Sequence, residues 1–172
     1  MKMKRVLIVG TSGVGKTTLS MQLAKVTGLP VTHLDMLAWT AGWKRRPIGD
    51  FERDLDKVLA GERWLVDGNY IASLPQRAEK ADTIILIDLP LWQCLVRVFR
   101  RWWKNRGQQR HDLPEGCLEP LPWTFLKWVL SAPPRHQQLW KDIAAAHPEI
   151  TFRHFTSARQ VDDYVKGLRH DR

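Results

Sequence analysis

A glycine-rich segment near the N-terminus limits the possible folds of this chain more than any other feature. Residues 10–17 read GTSGVGKT and match the pattern G-x-x-x-x-G-K-[ST] in full. The segment directly follows the apolar run Val6–Val9 and directly precedes a stretch with apolar residues at helical spacing. A strand, a glycine-rich loop and a helix in this order predict a loop whose backbone N–H groups bind phosphate, assisted by the positive end of the helix.

The residues of this motif have separate predicted roles. The Lys16 ammonium is expected to reach the β- and γ-phosphates of a nucleotide, and the Thr17 hydroxyl is expected to ligate Mg²⁺. The predicted nucleotide-binding residues are Gly10, Thr11, Ser12, Gly13, Val14, Gly15, Lys16, Thr17 and Thr18. A plain glycine turn with a solvated lysine is the alternative, which the flanking strand and helix disfavour. We expect ATP with Mg²⁺ as cofactors, although the motif does not distinguish ATP from GTP.

Apolar runs predict the rest of the fold. The runs Arg5–Val9, Trp64–Val66 and Thr83–Ile87 lack polar alternation, which is typical of parallel strands buried on both faces. Val31–Leu34 and Thr151–Phe155 are shorter strand candidates. Helical patterns lie between these runs. Strands that alternate with helices predict an α/β fold with a parallel sheet.

Length and composition predict one domain. The chain has 172 residues, of which 44% are hydrophobic, and this suits a single domain over residues 1–172. The apolar run at Val6–Val9 is too short for a signal peptide or a membrane span, so we expect a cytoplasmic protein without a membrane partner. Cys94 and Cys117 lack the spacing of a metal site and are expected to be ordinary thiols.

The positive charge of the chain is concentrated in two segments. Residues 97–111 contain six basic residues and no acid, and residues 44–46 contain three more, which together equal the net charge of +9. Such local blocks favour phosphate sites over a uniformly basic surface. Arg97 and Arg101 lie one helical turn apart in the predicted helix Leu91–Trp103, so they are predicted to converge on one anionic group. A solvated basic helix end is the alternative.

Two aspartates are candidate catalytic residues because each follows a predicted strand. Asp67 would emerge at the sheet edge where α/β proteins bind ligands, which makes it a candidate Mg²⁺ ligand. Asp35 is a candidate to orient or deprotonate the hydroxyl of an acceptor. A turn or helix-capping role is the alternative for both. Trp39 and Trp43, next to the cations at 44–46, are candidates for an aromatic wall around an anionic acceptor, with core packing as the alternative.

Several motifs together resemble the topology modulation proteins, a FlaR-like group of P-loop proteins related to adenylate and shikimate kinases. The motifs span most of the chain and read GTSGVGKTT, HLDMLAW, WLVDGNY, ADTIILIDLP and CLVRVFRRWWKNRG. The resemblance implies a three-layer fold with a parallel five-stranded sheet of order 2-3-1-4-5, a substrate-binding insertion at residues 36–63 and a lid at residues 102–122. It also implies that Asp67 lies near Mg²⁺ and that Arg97 and Arg101 contact the nucleotide and the transferred phosphoryl group.

The sequence departs from these relatives after Asp67. Adenylate kinases follow their D-G with F-P-R, whereas Gly68 is followed here by Asn69, Tyr70 and Ile71, which disfavours AMP as the acceptor. The predicted function is transfer of the γ-phosphoryl group of ATP to a small, anionic acceptor. An ATP-switched regulator that binds DNA through the same basic segments is the alternative, although the sequence shows no helix-turn-helix, zinc finger or basic zipper. The sequence identifies neither the acceptor nor the oligomeric state.

Overall fold

Strands and helices alternate along the part of the chain that the computed structural model describes, which comprises residues 3–105, 107–108, 112–117, 139 and 142–170. The strands are β1 (Arg5–Gly10), β2 (Val31–His33), β3 (Trp39–Thr40), β4 (Lys44–Arg45), β5 (Trp64–Asp67), β6 (Thr83–Ile87) and β7 (Thr151–Phe155). The helices are α1 (Lys16–Thr27), α2 (Leu34–Ala38), α3 (Ile48–Leu59), α4 (Leu74–Lys80), α5 (Leu91–Lys104) and α6 (Ala158–His170). Within these described ranges, none of the helices combines the length and the apolar character needed to cross a membrane.

Five of the strands form one parallel sheet in the order β2-β5-β1-β6-β7. Counted along the chain among themselves, they are the second, third, first, fourth and fifth strands of the sheet, which confirms the predicted order 2-3-1-4-5. The central strand β1 pairs Ile8 with Asp67 of β5 and Gly10 with Ile87 of β6. The carboxyl ends of β1 and β5 therefore meet at one edge of the sheet.

Both faces of the sheet are covered because alternate residues of a strand point to opposite sides. On one face, Leu7 and Val9 belong to an apolar cluster with buried residues of α2, α3 and α4. On the other face, Val6 and Ile8 belong to a cluster with buried residues of α1, α5 and α6. This double burial explains the continuous apolar sequence of the strands and produces the predicted three-layer α/β fold.

The connection from β2 to β5 and the segment after α5 are the two regions with predicted substrate and lid roles. The first holds α2, an antiparallel hairpin of β3 and β4, and α3, and it includes the predicted insertion at 36–63. The predicted lid at 102–122 begins in the last turn of α5. Its residues 106, 109–111 and 118–122 lie outside the described residues. The roles of both regions stay predictions.

The structure corrects the local setting of Asp35. The expected strand Val31–Leu34 ends at His33, and Leu34 begins α2. Asp35 therefore lies in the first turn of a short helix and not directly at a strand end. Asp67, by contrast, is the last residue of β5 and is buried.

Candidate active site

The glycine-rich segment, called the phosphate loop below, curls at the N-terminal end of α1. Gly10, Gly13 and Gly15 have φ angles of 142°, 88° and 99°, which residues with a side chain rarely adopt. A Cβ atom at Gly10 would lie 2.2 Å from the carbonyl oxygen of Ile87, and one at Gly13 would lie 2.5 Å from that of Cys94. Only glycine fits these positions. The loop thus leads into a helix end whose first N–H groups lack intrahelical acceptors and attract anions.

Lys16 is folded back onto the phosphate loop. Its Nζ donates hydrogen bonds to the carbonyl oxygens of Gly10 at 2.7 Å and Thr11 at 3.2 Å. Burial lowers the pKa of Lys16, and the negative charges of Asp67 and Asp35 partly oppose that shift. The ammonium is therefore held inside the loop, within the field of both candidate catalytic carboxylates. A phosphate group there would replace the two carbonyl oxygens as its partner.

Asp67 lies at the centre of a hydrogen-bonded group at the end of β5. Its Oδ2 atom is 2.8 Å from the hydroxyl oxygen of Ser20 and 2.9 Å from Nδ1 of His33. The same Ser20 hydroxyl oxygen lies 2.8 Å from the carbonyl oxygen of Thr17. Ser20 thus fixes the carboxylate beside the first turn of α1, which carries the hydroxyl that the motif assigns to Mg²⁺.

The charge around His33 shows how acidic this edge of the sheet is. Burial alone would lower the pKa of His33, but the hydrogen bond to Asp67 and the negative charges of Asp67, Asp112 and Asp35 outweigh it, so the pKa is raised. Among the described residues, no three His, Cys, Asp or Glu side chains form a ready metal cage. Mg²⁺ does not need one, because it keeps several waters and binds substrate phosphates through one or two protein oxygens. The Thr17 hydroxyl and the Asp67 carboxylate fit that donor set.

The loop after β5 contacts both sides of the site. Oδ1 of Asn69 accepts a hydrogen bond from the N–H of Gly10 at 3.0 Å. The hydroxyl of the next residue, Tyr70, donates to Oδ1 of Asp35 at 2.7 Å. Burial, and then the charge of Asp35, raises the pKa of Tyr70, so the phenol remains a donor at neutral pH. The loop therefore connects the phosphate loop to the candidate acceptor residue.

Arg77, at 0% exposure, holds this loop from within the protein. Its guanidinium donates to the carbonyl oxygens of Gly68, Asn69 and Tyr70 at distances of 2.8 to 3.0 Å. It also donates to the carbonyl oxygen of Ser73 at 3.3 Å. Burial lowers the pKa of Arg77 to about 10, which still leaves it charged at neutral pH. A fork of donors that satisfies adjacent carbonyls fixes the backbone that presents Asn69 and Tyr70.

The basic side chains of α5 reach the phosphate loop. Nη1 of Arg97 donates to the carbonyl oxygen of Val14 at 3.2 Å. The positive charge of Arg101 contributes to the lowered pKa of Lys16. The structure thus brings Arg97 to the loop, and the charge of Arg101 lies near enough to act on Lys16. Their contact with a nucleotide or a transferred phosphoryl group stays a prediction.

The β3–β4 hairpin forms the outer side of the site. The rings of Trp39 and Trp43 meet edge to face, with their centroids 5.6 Å apart. Of the three cations at 44–46, the first two are exposed. The third, Arg46, turns inward and donates to Asp54 of α3 at 2.7 Å. Arg46 therefore fastens the hairpin to α3, and only two of the three predicted cations remain for an acceptor.

Residues 112–117, called the strap below, contact both sides of the site. Oδ2 of Asp112 accepts a hydrogen bond from the Thr17 hydroxyl at 3.1 Å, although the two residues are 95 positions apart. At the other end of the strap, the Cys117 thiol donates to the carbonyl oxygen of Thr40 in the hairpin at 3.1 Å. The strap thus bridges the phosphate loop and the hairpin.

The sequence predictions assign no role in the site to Ser20, His33, Asn69, Tyr70, Arg77 or Asp112. The motifs HLD and DGNY contain His33 and Asn69 beside the predicted aspartates. Because parallel strands end at the same edge of a sheet, the position of His33 and Asn69 next to these aspartates could have indicated that both residues lie in the site. Nothing local distinguishes Arg77 or Asp112 from surface residues.

A cavity of about 340 Å³ opens beside the phosphate loop. It is lined by Thr11, Asp88, Leu89, Pro90, Leu91, Cys94 and Thr156. These residues come from the phosphate loop, from the end of β6 through the start of α5, and from the end of β7. Its volume lies at the lower end of the range for small-molecule sites.

Two sequence comparisons match parts of the chain, and the first of them includes the phosphate loop. The model of the isopentenyl transferase family matches residues 3–40. The ATPase subunit HslU of the ATP-dependent protease from Treponema denticola is 33% identical over 89 residues. That match covers 51% of this chain but only 18% of HslU, so it does not extend to the whole relative.

Solved structures match nearly the whole chain. A shikimate kinase from Acinetobacter baumannii in complex with shikimate has a TM-score of 0.58 and 17% identity, and the match covers 96% of this chain and 90% of that one. A gluconokinase from Sinorhizobium meliloti 1021 has a TM-score of 0.56 and 14% identity, with 98% and 91% covered. A shikimate kinase from Bacteroides thetaiotaomicron has a TM-score of 0.52 and 17% identity, with 98% and 97% covered. At these identities the likeness shows the fold alone, and it confirms the predicted α/β fold with a parallel five-stranded sheet.

Proposed function

We propose that this chain is a kinase that transfers the γ-phosphoryl group of ATP to a small acceptor. The observation that carries the proposal is the meeting of three features at one sheet edge: the phosphate loop, the buried carboxylate of Asp67, and the exposed carboxylate of Asp35. A nucleotide, its metal ion and an acceptor hydroxyl need these three kinds of group. The similar folds of a shikimate kinase and a gluconokinase support a small-molecule kinase over other users of a phosphate loop.

The phosphate-loop side is assigned to the nucleotide. Lys16 and the backbone N–H groups bind the phosphates, and Thr17 with Asp67 would hold Mg²⁺, which supplies neutralisation of phosphate charge when bound. Arg97 and Arg101 are assigned to the negative charge that develops on the transferred group. We assign the nucleoside to the cavity beside Thr11.

The hairpin side is assigned to the acceptor. Asp35 is exposed, and the Tyr70 hydroxyl holds one of its oxygens at 2.7 Å. A carboxylate in this position can orient or deprotonate a hydroxyl within hydrogen-bond reach. Trp39, Trp43 and the exposed cations at 44–45 follow directly along the chain. This combination favours a hydroxyl compound that also carries a negative charge.

The orientation of the basic residues disfavours the DNA-binding alternative. Arg97 donates to the phosphate loop at 3.2 Å, and Arg101 is close enough to Lys16 to lower its pKa. Arg97 is therefore directed to the nucleotide site, and the charge of Arg101 acts on that site, which favours a local anion over an external polyanion. We accordingly favour the kinase as the function of the basic segment.

Lys16→Ala tests the proposal directly. The variant should keep its unfolding temperature, because the hydrogen bonds of Lys16 go to carbonyl oxygens of the loop. It should lose the stabilisation by an ATP analogue, which is about 2.7 kcal/mol at a ligand concentration of 100 Kd. Thermal unfolding with Mg²⁺ and a non-hydrolysable ATP analogue measures this. Unchanged analogue binding and ATP hydrolysis in the variant would refute the kinase. The same assay on wild-type protein with a panel of small metabolites identifies the acceptor as a compound that stabilises only alongside the analogue.

A further inference from the structure

The hydrogen bond between Thr17 and Asp112 connects the metal site of the proposed function to a residue outside the phosphate-loop motif. The Thr17 hydroxyl oxygen lies 3.1 Å from Oδ2 of Asp112, and Asp112 is only 5% exposed. An ionised carboxylate accepts hydrogen bonds and donates none, so the hydroxyl hydrogen points at Asp112. The lone pairs of the Thr17 oxygen are consequently directed away from Asp112.

This bond is compatible with a metal ion on Thr17. A threonine hydroxyl binds a cation through an oxygen lone pair and keeps its hydrogen, which then needs an acceptor. Partners of this kind orient metal ligands and raise the basicity of the ligating atom. Asp112 is therefore already in the position that such a partner would occupy.

The strap holds Asp112 by contacts other than its bond to Thr17. The Cys117 thiol donates to the carbonyl oxygen of Thr40 at 3.1 Å and lies 3.4 Å from the backbone nitrogen of Trp43, which donates to it. The backbone N–H of Cys117 donates to the carbonyl oxygen of Pro114 at 3.1 Å and closes a turn within the strap. Cys117 is 1% exposed. The strap is packed against the hairpin, so the carboxylate is presented from a supported backbone.

We propose that Asp112 is a positioning residue of the metal site: it accepts the Thr17 hydroxyl hydrogen and so directs the Thr17 oxygen toward Mg²⁺. The inference rests on the proposed function, because it takes Thr17 as the Mg²⁺ ligand. It adds to that function a residue that the motif does not contain. It also makes the geometry of the metal site depend on a segment that is anchored to the acceptor hairpin.

The test measures Mn²⁺ binding, with Mn²⁺ as a paramagnetic substitute for Mg²⁺, by electron paramagnetic resonance at a saturating concentration of a non-hydrolysable ATP analogue. Asp112→Ala, which leaves no oxygen to accept the Thr17 hydroxyl hydrogen, should weaken Mn²⁺ binding to the protein–analogue complex by about 10- to 100-fold. Glu115→Gln removes the same charge from an exposed position of the same strap and should leave the affinity unchanged. Equal weakening in both variants would attribute the effect to net charge and overturn the proposal.

A double-mutant cycle with Thr17→Val, which removes the hydroxyl, tests whether Asp112 acts through Thr17. Once the hydroxyl is gone, Asp112→Ala should cost little further affinity, so the two effects should be non-additive. Additive effects, or unchanged or tighter Mn²⁺ binding in Asp112→Ala alone, would overturn the proposal. Unchanged binding in Thr17→Val would instead overturn the metal site of the proposed function, so the two failures are distinguishable. Circular dichroism verifies folding, and Asp112→Ser, whose shorter side chain cannot reach Thr17, replaces a misfolded Ala variant with the same expectation.

Discussion

The phosphate loop and the β3–β4 hairpin lie on two sides of one site and are built in opposite ways. In the loop, a Cβ atom at Gly13 would lie 2.5 Å from the carbonyl oxygen of Cys94, whereas a Cβ atom at Gly42 in the hairpin has no neighbour within 4 Å. The loop is determined by backbone packing, and the hairpin presents exposed side chains. A backbone site suits the phosphates that all nucleotides share. Under the proposed function, substitutions in the hairpin should therefore change the acceptor without disturbing the nucleotide site.

The loop after β5 is where the two sides depend on each other. Asn69 bonds to Gly10 of the phosphate loop, and Tyr70 bonds to Asp35 on the acceptor side. Arg77 holds the carbonyls of both residues. A substitution of Arg77 should therefore disturb both sides of the site together.

Arg77→Met should have the largest effect, because it disturbs both sides at once. The change removes the charged donor of four carbonyl oxygens, of which that of Ser73 is buried and those of Gly68, Asn69 and Tyr70 are partly buried. We expect a loss of about 4 kcal/mol in the free energy of unfolding. Urea unfolding measures the loss. The control Arg63→Met removes an exposed arginine that also donates to carbonyl oxygens, those of Thr27 and Gly28, and should cost less than about 1 kcal/mol. Equal costs in the two variants would show that Arg77 does not anchor the loop.

Gly13→Ala and Gly42→Ala compare the two sides directly. Both glycines have positive φ, 88° and 73°, so each substitution costs about 1 kcal/mol of backbone strain. Only Gly13 adds a steric overlap, which brings its expected cost to about 3 kcal/mol. Thermal unfolding with and without an ATP analogue should show a lost nucleotide response for Gly13→Ala alone. A retained response in Gly13→Ala would mean that the loop has more freedom than the contacts indicate.

The fold could be predicted from the sequence because its determinants are local. Continuous apolar runs such as Thr83–Ile87 match the observed strands, since burial on both faces leaves no polar positions. The position of the phosphate loop was equally evident, because its glycines are required by the contacts of the loop itself. The strand order followed from the resemblance and not from any pattern of the residues.

The parts of the site that the sequence did not reveal depend on contacts between distant segments. Asp112 meets Thr17 across 95 positions, and no local pattern encodes that contact. Arg77 has the residue type of a surface helix position, and only the tertiary structure places it among carbonyl groups. Arg46 is a contact that the sequence analysis assigned wrongly. The block of cations at 44–46 suggested three side chains for an anionic acceptor, whereas Arg46 pairs with Asp54. Charge counted along the chain does not show which side chains turn inward.

The two aspartates should show the smallest differences in stability and the clearest separation of function. Asp67 lies beside Ser20 and the first turn of α1, so Asp67→Asn should lower Mg²⁺-dependent ATP hydrolysis about 100-fold with or without acceptor. Asp35 lies on the hairpin side and bonds to Tyr70. Asp35→Asn should therefore lower acceptor-dependent transfer about 100-fold but basal hydrolysis less than about threefold. Steady-state hydrolysis over a Mg²⁺ titration, with and without the acceptor found by thermal unfolding, measures both. If Asp35→Asn abolished basal hydrolysis and Asp67→Asn did not, Asp35 would be the metal residue and Asp67 the acceptor residue. The assignment of the nucleotide and the acceptor to the two sides of the site would then be reversed as well.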